Sequence, residues 1–422
     1  MAVTEIREVH DPKWTERLGS SFSGVLKGLG MVIGAGVLIF WNEGRAVKTA
    51  RSLDEGAGAV ISVPSDKVDA ANEGKLVHVS GRADTKDTLA DPIFGISTVA
   101  LRLNRKVEIF QWVEHKETHR EKQCDKTIEK TTYTYSKEWC DKPVDSQGFK
   151  EAGHGNPAVV MPFTDEEKNA QNVTLGAFRL SEANVKRMHG WKAFPFAQDF
   201  KVPEALKGAS LVNGVIYVPG ARVATTTTTT TTATGGSPLA AAAKAATAAV
   251  TNAVNNALSA TAAEPQLGDF RVTFKVVEPH DISLCYKQKG DTFVPWTASN
   301  GRHIDLQSAG LVEAETMFVN AKASNATLTW VLRFFGFFIM FGGFKMVFAP
   351  FVTLVDVIPV ISGIVSVGLG LVSFLLALAG SLLTAGIAWI FYRPVLGITL
   401  VAVAVACVVL VIMKRGKAAP AK

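Results

Sequence analysis

Apolar segments long enough to cross a bilayer lie at both ends of this chain of 422 residues. Residues 20–41 are apolar apart from Lys27 and a few serines. This length suits a helix that crosses about 30 Å of hydrocarbon, and Lys27 lies near one end, from where it can reach the headgroups. A cleaved signal peptide is the alternative, but Phe40 to Glu43 make a poor cleavage site. We therefore predict an uncleaved transmembrane helix over residues 20–41.

Three further apolar runs lie close to the carboxyl end. Their near-continuous apolar character argues against the alternative of buried helices in a soluble domain. The predicted transmembrane helices are residues 328–349, 357–383 and 387–413. The last run is interrupted just after two aromatic residues of the kind that lie at membrane interfaces. The predicted interface residues are Trp389, Tyr392, Arg393 and Pro394.

The net charge of +6 is confined to the carboxyl-terminal part of the chain. Residues 328–422 carry seven basic residues against Asp356 alone, whereas residues 42–327 carry 33 basic and 33 acidic residues. A neutral domain does not suit nucleic-acid binding. The basic tail, residues 414–422, follows the last predicted helix, so the positive-inside rule places it in the cytoplasm. Four crossings then place residues 1–19 in the cytoplasm and residues 42–327 outside it.

The large segment between the apolar ends is predicted to fold as a β-rich domain. Apolar-rich or alternating stretches, such as residues 76–81, 107–112 and 270–276, are typical of short strands, and helical periodicity is weak. The predicted fold class is therefore a multipass α-helical membrane protein. It has four transmembrane helices and a large β-rich (α+β) extracytoplasmic domain.

Two parts of this domain resemble each other. The segment from Asp91 to Leu103 matches the segment from Glu264 to Val276 at a constant offset, without a gap. We predict two related β units, at about residues 74–115 and 213–296, with chance similarity as the alternative. A low-complexity insert, residues 225–263, interrupts the second unit. Its threonine tract is predicted to be a linker, and its alanine-rich part suits a helix.

Two cysteines of the domain are candidates for a disulfide. Cys124 and Cys140 lie close together in the sequence, and an extracytoplasmic compartment permits oxidation. Closing a loop of about 15 residues contributes about 3 kcal/mol in the chain-entropy model. We predict this disulfide, with two free thiols as the alternative.

Four glycines of the first apolar segment are spaced by four residues. They form two consecutive pairs, Gly24 with Gly28 and Gly30 with Gly34. Small residues at this spacing let helices approach closely, whereas a dinucleotide loop needs a different pattern after a strand. We predict that these glycines pack against neighbouring helices.

The residues suggest no catalytic chemistry. His115 and His119 have a spacing that zinc ligands use on a helix, but their charged neighbours favour a solvated strand. We predict no metal site and no cofactor. No strand-turn nucleophile, phosphate loop or spaced catalytic triad is present in the sequence, so the sequence does not predict an enzyme.

Four segments resemble the transmembrane protein 43 family, also called LUMA. They are residues 41–47, 74–81, 107–114 and 389–394. The order of one amino-terminal helix, a large domain and three carboxyl-terminal helices is also similar, and only the insert departs from the pattern. The resemblance implies a protein without catalytic residues that self-associates and organises membrane protein complexes. It implies the endoplasmic reticulum or inner nuclear membrane in a eukaryote and the cytoplasmic (inner) membrane in a bacterium. We expect a bacterial member.

The expected function is therefore that of a non-enzymatic membrane scaffold. Its expected partners are membrane lipids, further copies of itself and other membrane proteins. An oligomeric channel or transporter is the first alternative, and an envelope chaperone or lipid-acting protein is the second. A structural junction is predicted where the first helix meets the domain, at Trp41, Asn42, Glu43, Gly44 and Arg45. Trp112 and Glu114 are candidates for a contact surface or for the domain core, with ordinary strand residues as an equal alternative.

Overall fold

The protein is described by a computed structural model that covers most of the chain. It describes residues 6–10, 14–123, 126–158, 160–220, 265–355, 359–395, 397–399 and 402. The predicted insert, the basic tail, Cys124 and most of the predicted fourth transmembrane helix lie outside the described residues.

Four helices have defined bounds in the described part of the chain. They are α1 (Trp14–Ala59), α2 (Glu182–Lys186), α3 (Ala314–Val355) and α4 (Pro359–Tyr392). The three long helices each contain a segment that is long and apolar enough to cross a membrane. The chain is therefore a multipass membrane protein. The fourth predicted crossing is not confirmed, because only a few residues after Pro394 are described.

The long helices differ from the predicted bounds at their ends. α1 continues past residue 41 to Ala59, and α3 begins at Ala314, well before residue 328. Hydropathy marks only the part of a helix that contacts lipid, whereas both helices continue with good helix formers into the domain. The predicted break between the third and fourth transmembrane helices, at residues 384–386, is wrong, because α4 is continuous to Tyr392. The helix ends at Tyr392, because the next residue, Arg393, precedes a proline and the α conformation is disfavoured there.

The strands lie mostly between α1 and α3. In chain order they are β1 (Ile6–His10), β2 (Ile61–Ser62), β3 (Leu76–Thr85), β4 (Thr88–Asp91), β5 (Ile96–Val99), β6 (Arg102–Gln123), β7 (Lys126–Cys140), β8 (Glu166–Asn169), β9 (Val173–Leu175), β10 (Phe178–Arg179), β11 (Lys192–Ala193), β12 (Ser210–Val212), β13 (Val215–Val218), β14 (Phe270–Val277), β15 (His280–Lys289), β16 (Thr292–Val294), β17 (Trp296–Thr297), β18 (His303–Ile304) and β19 (Leu306–Ala309). The predicted β-rich domain is therefore present.

Two sheets organise the domain. The first has the order β1-β7-β6-β14-β13-β12, and the second has the order β19-β15-β16-β10-β9-β3-β2. The second sheet also closes on itself, because β15 pairs with β3 from His280 with Ala83 to Lys287 with Leu76. Its enclosed side chains form one apolar core, to which Val79, Leu175, Phe178 and Phe293 belong.

A separate apolar cluster connects the second sheet to the membrane helices. Leu53 of α1 and Phe318 of α3 pack there with Leu76, Cys285 and Ile304 of the strands. Burial of such side chains removes apolar surface from water at about 25 cal/mol per Å². The domain is thus packed onto the extensions of α1 and α3.

The predicted internal repeat is not confirmed by the strand arrangement. Val99 and Leu103 belong to two strands, β5 and β6, whereas their counterparts at the constant offset, Val272 and Val276, both lie in β14. Alternation of apolar and polar residues recurs in any half-buried strand. Similar patterns therefore do not require equivalent positions in the fold.

β6 and β7 form a long hairpin arm. Their pairing is continuous from Ile109 with Cys140 to Gln123 with Lys126. The outer half of the arm also pairs with the amino-terminal strand, from Ile6 with Tyr133 to His10 with Glu129. The arm therefore carries strand neighbours on both sides of β7 over residues 129–133.

Candidate functional site: a polar junction at the membrane boundary

Three tryptophans on three helices lie at one level. Trp41 of α1 and Trp330 of α3 are both more than half exposed, and Trp389 belongs to α4. Asn42, next to Trp41, bonds to Thr329, which is next to Trp330. Glu43 bonds to Trp389 itself. Tryptophan is enriched at membrane–water interfaces. From Phe22 to Trp41 α1 rises about 29 Å, close to the thickness of the hydrocarbon core. The three tryptophans therefore mark one boundary of the membrane.

Glu43 lies at this boundary and is almost fully buried, with 1% of its surface exposed. Arg333 of α3 donates two hydrogen bonds to its carboxylate, from Nε to Oε1 at 2.6 Å and from Nη2 to Oε2 at 2.9 Å. Trp389 Nε1 of α4 donates to the same carboxylate at 2.8 Å. The Arg333 guanidinium also lies over the rings of Trp330 and Trp389, 4.7 Å and 5.8 Å from their centroids. One buried carboxylate thus connects all three long helices.

A second hydrogen-bond network begins one residue earlier. Asn42 is fully buried, and its Nδ2 donates to the carbonyl oxygen of Thr329 at 3.0 Å. Arg45 donates to Asn42 Oδ1 at 3.1 Å, to Asn325 Oδ1 at 3.0 Å and to Thr329 Oγ1 at 3.1 Å. Buried polar groups are costly unless they are paired. These bonds therefore select one register of α1 against α3.

Gly44 permits the end of α4 to approach α1. A Cβ atom at this position would lie 2.5 Å from Cζ of Tyr392, closer than any real Cβ contact. Arg51, two turns further along α1, donates to the carbonyl oxygen of Tyr392 at 2.8 Å. The tyrosine thus closes the junction at the point where α4 ends.

The structure brings most of the predicted junction and interface residues together. Asn42, Glu43, Gly44 and Arg45 all face α3 or α4, and Trp389 and Tyr392 are among their partners. Trp41, Arg393 and Pro394 are instead exposed. The sequence suggested two separate features, an exit from α1 and an interface before the last helix, which form one site in the fold.

The four predicted packing glycines separate into two groups. Gly28 contacts α3 closely, since a Cβ there would lie 2.6 Å from the carbonyl oxygen of Gly343, and Gly24 lies near Met346. Gly30 and Gly34 have no atom within 4 Å of a Cβ position among the described residues. Packing of Gly30 and Gly34 against a neighbouring helix stays a prediction, because a spacing of four does not say which glycines face α3.

Trp112 and Glu114 lie at the base of the hairpin arm and are both partly buried. The Trp112 ring contacts His154 edge-on at 4.5 Å. Glu114 Oε2 accepts hydrogen bonds from Tyr135 Oη at 2.6 Å and from the backbone N–H of Lys150 at 2.8 Å. These contacts hold the segment after β7 against the arm, so both residues have a packing role within the domain.

The register of the arm bears on the predicted disulfide through Cys140 alone. Cys140 is a free cysteine that pairs with Ile109 at the base, whereas Gln123 pairs with Lys126 at the other end. The stretch from Lys126 to Cys140 spans about 45 Å in an extended strand. Cys124 itself lies outside the described residues. The bond between Cys124 and Cys140 therefore stays a prediction, which the length of β7 does not favour.

The α3 side of the junction was not among the residues predicted from the sequence. Arg333, Thr329 and Asn325 all bond to residues of α1. The sequence contains one indication that Arg333 has a partner. Arg333 lies about a turn inside an apolar run, and a charge within the membrane requires a partner.

Comparisons with known proteins find one family and several relatives that are similar to this chain. The family described as Transmembrane protein 43 matches residues 109–394. Transmembrane protein 43 of Mus musculus is 31% identical over 397 residues, covering 91% of this chain and 88% of the mouse protein. The Homo sapiens protein of the same name is 30% identical, covering 95% and 94% of the two chains.

More distant similarity extends to insects. The Transmembrane protein 43 homolog of Drosophila melanogaster is 27% identical and covers 91% of this chain and 92% of its own length. No solved structure matches the chain. From the family match and the full-length relatives, the chain belongs to the Transmembrane protein 43 family.

Proposed function

We propose that this protein is a non-enzymatic membrane scaffold that holds its β domain at a fixed height above the bilayer and self-associates through its membrane helices. The observation that carries the proposal is the continuity of α1 and α3 from the membrane into the domain. α1 has 46 residues and α3 has 42, which correspond to lengths of about 69 Å and 63 Å. Neither helix has a loop at the membrane boundary that would act as a hinge.

Polar contacts attach the domain to the extension of α1. Ser299 donates to Glu55 Oε2 from its hydroxyl at 2.7 Å, and Asn300 Nδ2 donates to the carbonyl oxygen of Lys48 at 2.9 Å. Ser52 Oγ donates to Asn300 Oδ1 at 2.8 Å. Together with the apolar cluster at Leu53, these bonds make the domain move with the helix. A rigid connection of this kind suits the positioning of partners more than a flexible tether does.

The self-association part of the proposal rests on one face of α1. Gly30 and Gly34 lie on this face together with Leu26, Ile33 and Val37, whose side chains are more than half exposed. A strip of small residues with flanking aliphatic side chains favours close contact with another helix in lipid. Other membrane proteins are the alternative partners for this face.

The experiment compares native mass in nanodiscs with crosslinking in intact membranes. The proposal expects a discrete oligomer in both, and Gly30→Leu is expected to reduce it to the monomer. Gly370→Leu is the matched control, because Gly370 of α4 also has open space around it. A monomeric wild-type protein in both measurements would overturn self-association.

We further propose that the domain is extracytoplasmic and that both chain termini are cytoplasmic. The support is the basic tail, with Lys414, Arg415, Lys417 and Lys422, since basic residues favour the cytoplasmic side. If α1 spans the bilayer, residues 6–10 and the domain lie on opposite sides of the membrane. The pairing of β1 with β7 instead places residues 6–10 beside the arm, on the same side as the domain. Both arrangements cannot hold at once.

A further inference from the structure

Five basic side chains surround α1 just above the tryptophan level, and we call them the basic collar. They are Arg45, Lys48, Arg51, Arg302 and Arg393. Lys48, Arg51 and Arg393 are exposed, and Arg45 and Arg302 are partly buried. Arg45 lies about 6 Å above Trp41 and Arg51 about 15 Å above it. Long basic side chains can extend their charge back toward the headgroups.

The collar brings like charges together. Arg302 lies near enough to Arg45 for the two guanidinium groups to repel each other, and the attraction of Arg45 to Glu43 offsets this repulsion only in part. Arg51 donates to the carbonyl oxygen of Tyr392, the residue directly before Arg393, so the Arg51 guanidinium lies close to the backbone from which the Arg393 side chain extends. Repulsion between such neighbours is unfavourable unless an anion lies between or beside them.

Acidic residues close to the collar are already occupied. Glu43 is bonded to Arg333 and Trp389, Asp54 pairs with Lys322 at 2.6 Å, and Glu55 accepts from Ser299. Arg45 bonds to the neutral side chains of Asn42, Asn325 and Thr329. Within the described part of the chain, the collar residues form no ion pair with a carboxylate.

We propose that the basic collar binds the phosphate headgroups of anionic phospholipids. The planar guanidinium group matches phosphate oxygens well, and each basic residue near an anionic surface contributes about 1 kcal/mol to binding. The tryptophan level sets the collar at the depth of the headgroup layer, where a lipid phosphate is the anion at highest concentration. This inference requires only that the helices span the membrane and is independent of the scaffold proposal.

The test measures lipid preference in liposomes of phosphatidylcholine and phosphatidylglycerol with the full-length protein. Brominated phosphatidylglycerol quenches membrane-level tryptophans, and comparison with brominated phosphatidylcholine gives the relative binding constant of the two lipids. We expect a preference of at least about fivefold for the anionic lipid, which corresponds to the contribution of a single basic residue. The preference should fall when the salt concentration is raised, because partly exposed charges are screened.

Variants assign the preference to the collar. The quadruple variant Lys48→Gln, Arg51→Gln, Arg302→Gln and Arg393→Gln should lose it, while Arg45 is kept because it holds the junction. A charge-preserving set, Lys48→Arg with Arg51→Lys, Arg302→Lys and Arg393→Lys, should retain the preference for the anionic lipid, because it keeps every charge of the collar. The control set replaces three exposed lysines elsewhere, Lys86, Lys201 and Lys207, and should leave it unchanged.

Three results would overturn the proposal. The first is equal quenching by both lipids in the wild-type protein. The second is a loss of preference in the control set as large as in the quadruple variant. The third is removal of the preference by millimolar inorganic phosphate, which would assign the collar to a soluble anion. Retention of the preference in the presence of phosphate supports a lipid headgroup.

Discussion

Glu43 and Arg333 lie far apart in the sequence and form a bidentate ion pair between α1 and α3 at the membrane boundary. The carboxylate is buried, whereas the arginine side chain keeps 23% of its surface exposed. Such a pair contributes little net stability, because desolvation of both charges offsets their attraction. We expect the pair to favour one arrangement of the three helices, since Trp389 donates to the Glu43 carboxylate only when α4 lies beside α1.

Glu43→Gln is expected to destabilise the protein strongly. The substitution leaves the Arg333 charge without its partner, and breaking a buried pair costs about 3–5 kcal/mol. The thermal midpoint of the purified protein in nanodiscs should fall. Lys322→Gln is the control, since it breaks an exposed pair with Asp54 that contributes about 0–1 kcal/mol.

The double variant Glu43→Gln with Arg333→Met should regain part of the stability lost in Glu43→Gln alone. It removes both charges, so no uncompensated ion remains in the junction. A double-mutant cycle measures this coupling directly. Additive losses from the two substitutions would show that the ion pair is not the element that connects the helices.

Gly44→Ala is expected to destabilise the junction by displacing Tyr392. The added methyl group would overlap the tyrosine ring, and overpacking costs about 1–3 kcal/mol. Tyr392→Ala in the same chain should restore most of the loss by removing the ring. Gly58→Ala is a suitable comparison, since Gly58 is also on α1 and has open space around it. It should be neutral or slightly stabilising.

Burial of Cys285 gives a prediction for both thiol reactivity and alkaline stability. Desolvation raises the pKa of this thiol to about 12, above the unfolded value of about 8.5. Because the folded state holds the proton more tightly, this contribution to stability is complete below the unfolded pKa. It is then lost as the pH rises toward 12.

The measurement uses a chain in which Cys124 and Cys407 are replaced by serine. Iodoacetamide at about pH 8 should modify Cys140, which is partly exposed, and spare Cys285, which is buried. The thiolate is the reactive species, so both burial and the raised pKa protect Cys285. Rapid modification of Cys285 in the folded protein would contradict the packing of β15 against α3.

The membrane helices and the β-rich domain were predictable from local patterns, but their mutual contacts were not. Hydropathy located the lipid-facing parts of α1, α3 and α4, and the residues 42–45 stood out because polar groups follow directly on an apolar run. The partner Arg333 could not be assigned, because sequence does not state which helices are neighbours. Similarly, Gly28 and Gly30 look equivalent until α3 defines which face of α1 is covered.

The orientation of the amino-terminal segment is the last prediction. We expect α1 to span the bilayer and the pairing of β1 with β7 to be absent in the membrane. Each Leu, Ile, Phe or Val near the centre of a membrane helix favours insertion by about 0.3–0.6 kcal/mol, and α1 exposes Phe22, Leu26, Leu29, Ile33 and Val37. A short strand at a sheet edge, such as β1, forms too few hydrogen bonds to compensate for withdrawing this apolar surface from lipid.

In sealed vesicles of a chain without its native cysteines, Glu8→Cys should therefore react with impermeant maleimide from the side of the membrane opposite to Gln147→Cys. Formation of a disulfide between Glu8→Cys and Thr131→Cys, whose positions pair in the sheet, would instead place the amino-terminal strand beside the arm and refute a single crossing by α1.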